Sequence, residues 1–216
     1  MSTLSFDELR AANLERLPQF KNSNGGPAHS KPDGSDWTPA DWLGALIGEV
    51  GELCDESAYR TAELLDGTTS LATRVDTIRN EAADVQTYLD LYAVRAFDAV
   101  EYPSDQCPDN DPAHVLLKLM AALGAYANYR KKFLRGDLPY LDYLSSSCDA
   151  LKGAASNLED LTHLFSRAPT GKTAGTGDGF DLGEATMTKF NKVSNRVGCN
   201  VYLRDHNDGA PTEVGS

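Results

Sequence analysis

The chain has 216 residues and a mass of 23.3 kDa, with 32 acidic against 20 basic residues, a formal charge of −12 and a pI near 4.7. At 41 % hydrophobic residues it can bury a core, which argues against wholesale disorder. Such acidity argues against a nucleic-acid or anionic-membrane partner gripped through net charge. Two readings of the acids remain: a diffuse solvated surface, or carboxylates gathered for a purpose. Their distribution is lopsided, with 18 acids and 8 bases in residues 1–103 against 14 and 12 in residues 104–216.

No window approaches a bilayer-spanning apolar run, and MSTLSFDELR lacks the apolar core of a secretory signal, so a cytoplasmic protein is expected. Cys54, Cys107, Cys148 and Cys199 are too scattered for a metal site or a compact disulfide framework. His29, His114, His163 and His206 contain no pair at helical zinc-ligand spacing. Reduced thiols without a role are expected.

Helical periodicity dominates, with no convincing alternating strand, and predicts an all-α fold. A first helix is expected over 5–18, then a Gly/Pro/Ser/Asn-rich loop over 21–36. Thr38 as N-cap, Pro39 at the first helical position and Asp41 in the first turn open the next helix. Its apolar stripe runs through Leu43, Leu46, Ile47, Val50, Leu53 and Cys54. After a loop at 66–70, a helix near 72–97 turns Val75, Ile78, Ala82, Val85, Leu89 and Tyr92 inward. The three prolines of YPSDQCPDNDP (102–112) then stop any helix.

The plan then repeats. Helices are expected over 113–135, through Leu116, Leu119, Met120, Leu123 and Ala127, and over 139–166, through Leu144, Leu151, Ala155, Leu158, Leu161 and Phe165. PTGKTAGTGDG (169–179) reads as a flexible insert, a last helix covers about 182–198, and residues 204–216 read as a flexible tail. Gly171–Thr173 is not a phosphate loop, because Ser166 stands where that motif needs glycine and no strand precedes it.

In LIGEVGELCDE (46–56), Glu49, Glu52 and Glu56 share one helix face at i, i+3 and i+7, and Glu81 and Asp84 form another i, i+3 pair on the next long helix. Antiparallel packing would bring Glu49, Glu52, Glu81 and Asp84 together. Carboxylates so close repel unless they protonate or a cation sits among them. Oxygen-only ligands on rigid helices select Mg²⁺, or Mn²⁺ as its substitute, and Mg²⁺ favours phosphate oxygens in its shell. The competing reading is a solvated acidic face. Lys189, Lys192 and Arg196 form a basic stripe on the last helix, which is either a phosphate-binding face or a solvated one, with Asn191 and Asn195 as possible amide donors.

ALIGEVGELCDE followed by NEAADVQTYLDLYA resembles the all-α nucleoside triphosphate pyrophosphohydrolases of the MazG-like group, whose signature is Glu-x-x-Glu, a spacer, then Glu-x-x-Asp. Here the spacer, residues 53–80, is at the long end, and Gly48 stands where some members carry another acid. FDELRAANLERLPQF and DWTPADW are similar to the leader of bacterial and phage members, and KFNKVSNRVG (189–198) to their C-terminal helix. The resemblance covers residues 5–97 and 183–203. It implies a helical-hairpin bundle in which residues 1–103 form the metal-binding catalytic unit.

Residues 104–180 depart from the family pattern. LMAALGAYANYRKKF can be laid over LIGEVGELCDESAYR with Gly124 on Gly51, so that Ala122 and Ala125 replace Glu49 and Glu52. NLEDLTHLF lies over EAADVQTYL, with Asn157 for Glu81 and Asp160 on Asp84. Residues 104–203 are then either a degenerate copy that makes the chain an internally duplicated pseudo-dimer, or an unrelated helical insertion ending in the family helix.

The resemblance implies hydrolysis of a (d)NTP between its α- and β-phosphates, giving (d)NMP and pyrophosphate. Glu49, Glu52, Glu81 and Asp84 would hold two or three Mg²⁺, and Glu52 or Glu56 would orient the attacking water. Tyr88 resembles the family tyrosine beside the nucleotide, while Asn13, Arg16, Trp37 and Trp42 are candidates for a base pocket. A homo-oligomer, a nucleotide substrate and a cytoplasmic location (the host's, if phage-encoded) are expected, with neither membrane nor nucleic acid as partner. The alternatives are dUTPase-like or other nucleotide diphosphohydrolase chemistry on the same scaffold, acting on dGTP or dCTP for instance, or a non-catalytic acidic interaction protein. DNA mimicry fits poorly, since the second half is nearly neutral and contains the basic YRKKFLR.

Overall fold

The computed structural model describes residues 4–21, 25–96, 112–165 and 180–204, which form six α-helices and a short 3₁₀ turn and contain no strand. The linker at 102–112 up to residue 111, the insert at 169–179 with Gly171–Thr173, the tail beyond residue 204, Cys107 and His206 lie outside the described residues. No described helix is long and apolar enough to cross a membrane.

Helix α1 (Phe6–Arg16) opens with a reciprocal capping box: Ser5 Oγ accepts the Glu8 N–H at 3.3 Å, and the Glu8 carboxylate accepts the Ser5 N–H at 2.9 Å. A 3₁₀ turn, Leu17–Gln19, leads into a loop pinned by two isolated bridges, Lys21 with Pro27 and Ser30 with Asp36. The same capping logic starts α2 (Pro39–Leu65), where Asp41 accepts the Thr38 N–H at 2.7 Å and Thr38 Oγ1 accepts the Asp41 N–H. A turn with Gly67 at φ 73° reverses the chain into α3 (Leu71–Ala96). Gly136, at φ 78°, does the same between α4 (Pro112–Leu134) and α5 (Tyr140–Phe165). Asp181 caps α6 (Leu182–Val197), and Gly198 ends it in the left-handed region at φ 71°.

Short reversals make α2–α3 and α4–α5 antiparallel hairpins. Helix α3 is the hub: α2, α5, α6 and α1 all pack on it. Leu46, Val50 and Leu53 of α2 are fully buried against Ile78, Ala82 and Val85 of α3. In the second hairpin Leu119, Leu123 and Tyr126 fill the matching positions of α4 and are equally buried. Tyr126 also crosses Tyr92 edge-to-face and shares a 2.9 Å hydroxyl contact with Tyr143. The expected apolar stripes overreach at Ile47 and Met120, which are 38 % and 39 % exposed.

A satellite cluster joins α1 to α6 and the chain beyond it, through Leu9, Phe190, Val201 and Leu203. Asn191 locks this arrangement, donating to the Leu203 carbonyl and accepting its N–H, both at 2.9 Å. Truncating Leu53 to Ala should cost about 3 kcal/mol in urea unfolding, and Gly198→Ala about 1 kcal/mol. Equal midpoints for wild type and Leu53→Ala would contradict the α2–α3 core.

Candidate metal and anion cleft

Helix packing brings three predicted carboxylates into one group. Ligand oxygens of Glu49, Glu52 and Glu81 all lie within 4.8 Å of one another, Glu52 exposed and the other two half-buried. The cause lies in the sequence spacing: Glu49 and Glu52 border the buried stripe of α2, and Glu81 precedes Ala82 on the facing seam of α3. Asp84 is not one of this trio but acts on Glu49 more strongly than the other acids do, and Lys189 of α6 holds it at 2.6 Å. Glu56 is half-buried and lies within the electrostatic field of Glu81, but it does not line the adjoining cleft.

Burial, with like charges adding to it, favours the protonated forms of Glu49 and Glu81. Burial, then Asp84, Glu52 and Glu81, pushes the Glu49 carboxyl up to about 7, against a partial offset from Lys189. Burial also raises Glu81, with Lys189 pulling the other way and Asp84 adding to the rise. A cation among these oxygens would relieve both costs, and the all-oxygen donor set suits a hard divalent ion.

Beside the carboxylates opens a cleft of about 260 Å³. Glu49, Glu52 and Asp84 form one side, and Arg16, Lys189 and Arg196 supply positive charge. Tyr88, Thr87 and Leu91 of α3, Phe20, and Phe190 and Val193 of α6 complete much of the wall. Arg16 is 6 % exposed, with its guanidinium 3.4 Å over the Phe190 ring. Burial lowers it to about 10, so it remains a cation at neutral pH. Tyr88 is raised to about 12, first by burial and then by Glu49 and Asp84, so it stays a neutral phenol.

The cleft collects Asn13, Arg16, Glu49, Glu52, Asp84, Tyr88, Lys189 and Arg196 from the residues singled out by sequence. It leaves out others for identifiable reasons. Asn191 has both ends of its amide on Leu203, so it is a structural lock rather than a ligand donor. Asn195 accepts the Tyr202 hydroxyl at 2.8 Å. Lys192 is exposed away from the cleft wall.

Trp42 is only 2 % exposed, and both tryptophans back the cleft through His29 instead of lining it. His29 stacks on Trp42 at 5.1 Å, meets Trp37 edge-on at 5.0 Å, and sets Nε2 3.4 Å from the Tyr88 hydroxyl. Burial, then Arg16 and Arg95, lowers its pKa to about 4, so the ring is neutral near pH 7. His29, Phe20 and Thr87 escaped the sequence reading. For His29 the only signal was an aromatic residue isolated within a polar loop.

Compared with known proteins, the chain matches no family model, and no curated protein or solved structure is significantly similar to it.

The raised Glu49 and Glu81 carboxyls give the metal-free protein a definite pH dependence. Between about pH 4.5 and 7 these carboxyls hold protons in the folded state that they have released in the unfolded chain, so their own contribution to stability falls as pH rises through this window. Glu49→Gln should therefore stabilise the metal-free protein at pH 8 by on the order of 1 kcal/mol, since solvent screens part of the repulsion. It should do little at pH 4. Thermal melts at both pH values check this, and a variant less stable than wild type at pH 8 would contradict the repulsive cluster.

Proposed function

We propose that the chain is a Mg²⁺-dependent nucleoside triphosphate pyrophosphohydrolase of the MazG-like all-α type, releasing pyrophosphate and a nucleoside monophosphate. One observation carries this reading: a carboxylate trio on two packed helices borders a cleft that is lined by Asp84 on the acidic side and by the cations Arg16, Lys189 and Arg196. Carboxylates alone suit a metal and cations alone suit an anion. Their adjacency suits a ligand that brings both, as a metal-chelated polyphosphate does. The two-helix Glu-x-x-Glu and Glu-x-x-Asp arrangement adds the family resemblance to this support.

Glu49, Glu52 and Glu81, with Asp84 alongside, are the residues that would hold Mg²⁺. The bound metal would neutralise phosphate charge and acidify a water. Lys189, Arg196 and Arg16 bind the phosphates and offset their charge. Glu52, the most exposed of the trio, or neighbouring Glu56, accepts a proton from the attacking water. The apolar wall of Phe20, Leu91 and Phe190, with Tyr88 and the neutral His29, excludes water around the nucleoside.

The second hairpin is read as a copy without the acids. Ala122 and Ala125 occupy the Glu49 and Glu52 positions, while Asn157 donates to the carbonyl of Gly153 at 2.6 Å. A Cβ added at Gly153 would lie 3.8 Å from the Cβ of Ala122, so the two helices run close at this point. On this reading the second hairpin supports the first as a fused partner would, in a cytoplasmic protein that assembles further into homo-oligomers.

The test is pyrophosphate release from a panel of dNTPs, with and without Mg²⁺. Release should require the metal and match monophosphate formation mole for mole. Glu52→Ala and Glu81→Ala should each lower turnover about 10³-fold, on the order of 4 kcal/mol of barrier, with helical content unchanged. A wild-type protein inactive on every substrate would leave the non-catalytic interaction protein as the better reading. Full activity in either variant would refute the metal ligands.

A further inference from the structure

Asp90 lies on α3, six residues beyond Asp84, and is fully buried between α3 and α1. A carboxylate so deep needs partners, and it has two on α1. Asn13 Nδ2 donates to its Oδ2 at 2.8 Å, and Arg10 Nε faces its Oδ1 at 3.4 Å. Neither contact reaches the cleft. Asn13 does, through its other end: Oδ1 accepts from Arg16 Nη2 at 3.5 Å. Arg16 is anchored on its far side by Nη1 donating to the Phe190 carbonyl of α6 at 3.0 Å. These two bonds use only two of the five N–H groups of the guanidinium, and Arg16 lines the cleft.

An amide can present either its oxygen or its NH₂ in a given direction, and only its neighbours decide which. An ionised carboxylate only accepts, so Asp90 obliges Asn13 to turn its NH₂ inward. The Asn13 oxygen then points outward, the orientation that a guanidinium requires. We propose that Asp90 is a positioning residue for ligand binding: through Asn13 it fixes Arg16 in the orientation that receives the anionic portion of the bound nucleotide. The ligand part of this inference rests on the nucleotide reading of the cleft, whereas the positioning part does not.

Asp90→Asn keeps the shape and reverses the logic. Arg10 retains the new side-chain oxygen, the new NH₂ faces the Asn13 NH₂, and Asn13 must turn over, which sets a donor against Arg16. Adding Asn13→Asp restores the pattern. The new carboxylate accepts from the amide at position 90 with one oxygen and from Arg16 with the other. The double variant thus returns the charge it removed, one residue nearer the cleft.

Two readouts separate positioning from ligand binding. In the ligand-free protein, the Arg16 side-chain Nε–H resonance should be rigid and slow to exchange in wild type. It should become mobile in Asp90→Asn and recover in the double variant. In pyrophosphate-release kinetics, Asp90→Asn should raise KM about tenfold with kcat within twofold, and the double variant should regain most of the loss. Asn13→Ala, which leaves Asp90 facing Arg10, should reproduce both defects should Asp90→Asn fold poorly. An Arg16 signal as rigid in Asp90→Asn or Asn13→Ala as in wild type would overturn the proposal, as would a double variant no better than the single one. If wild type releases no pyrophosphate, the nucleotide reading falls, and the ligand-free resonance still decides whether Asp90 positions Arg16.

Discussion

The seam between α2 and α3 governs the rest of the molecule. Leu46, Val50 and Leu53 interlock with Ile78, Ala82 and Val85, and their exclusion from water holds the two helices in a single register. Glu49, Glu52 and Glu81 lie next to these residues in sequence and on the rim of the same seam in space. The register that buries the leucines therefore also gathers the carboxylates, whether or not they attract one another. Hydrophobic burial thus holds acids at a separation that electrostatics opposes, and burial together with the neighbouring acids raises the Glu49 carboxyl. Local instability of this kind is common where a protein keeps groups ready for a ligand.

Helix α3 extends this control. One side carries the seam with α2, another receives α6 with Lys189, and its later turns meet α1 through Asp90 and α5 beside Tyr92. The cations of the cleft reach it from α1 and α6, which are far apart in sequence and are joined by the satellite cluster of Leu9 and Phe190. The Asn191 lock on Leu203 belongs to the same assembly, holding the chain beyond α6 so that Val201 and Leu203 close that cluster.

The legible parts of this structure were those written in short-range pattern. Thr38 and Asp41 marked the start of α2 because an N-cap acts on the next three residues. The i, i+3 spacing of Glu49 with Glu52, beside an apolar stripe, was enough to place both on one face. Interactions that depend on distant partners were not legible. Asn191 looks like a donor on a basic stripe until Leu203, twelve residues on, takes both ends of its amide. His29 joins the site only because the bridged loop folds back onto Trp42 and Tyr88. Likewise, the pairing of Asp84 with Lys189 spans two helices that nothing in the local pattern connects.

The central claim is that the α2–α3 rim is built to hold divalent metal. Crystals of the full chain grown with Mn²⁺, measured for anomalous scattering at the manganese edge, test it most directly. The account predicts anomalous peaks within coordination distance of Glu49, Glu52 and Glu81, with Asp84 beside them. An ordered carboxylate rim with no peak, or manganese bound only elsewhere on the acidic surface, would contradict it.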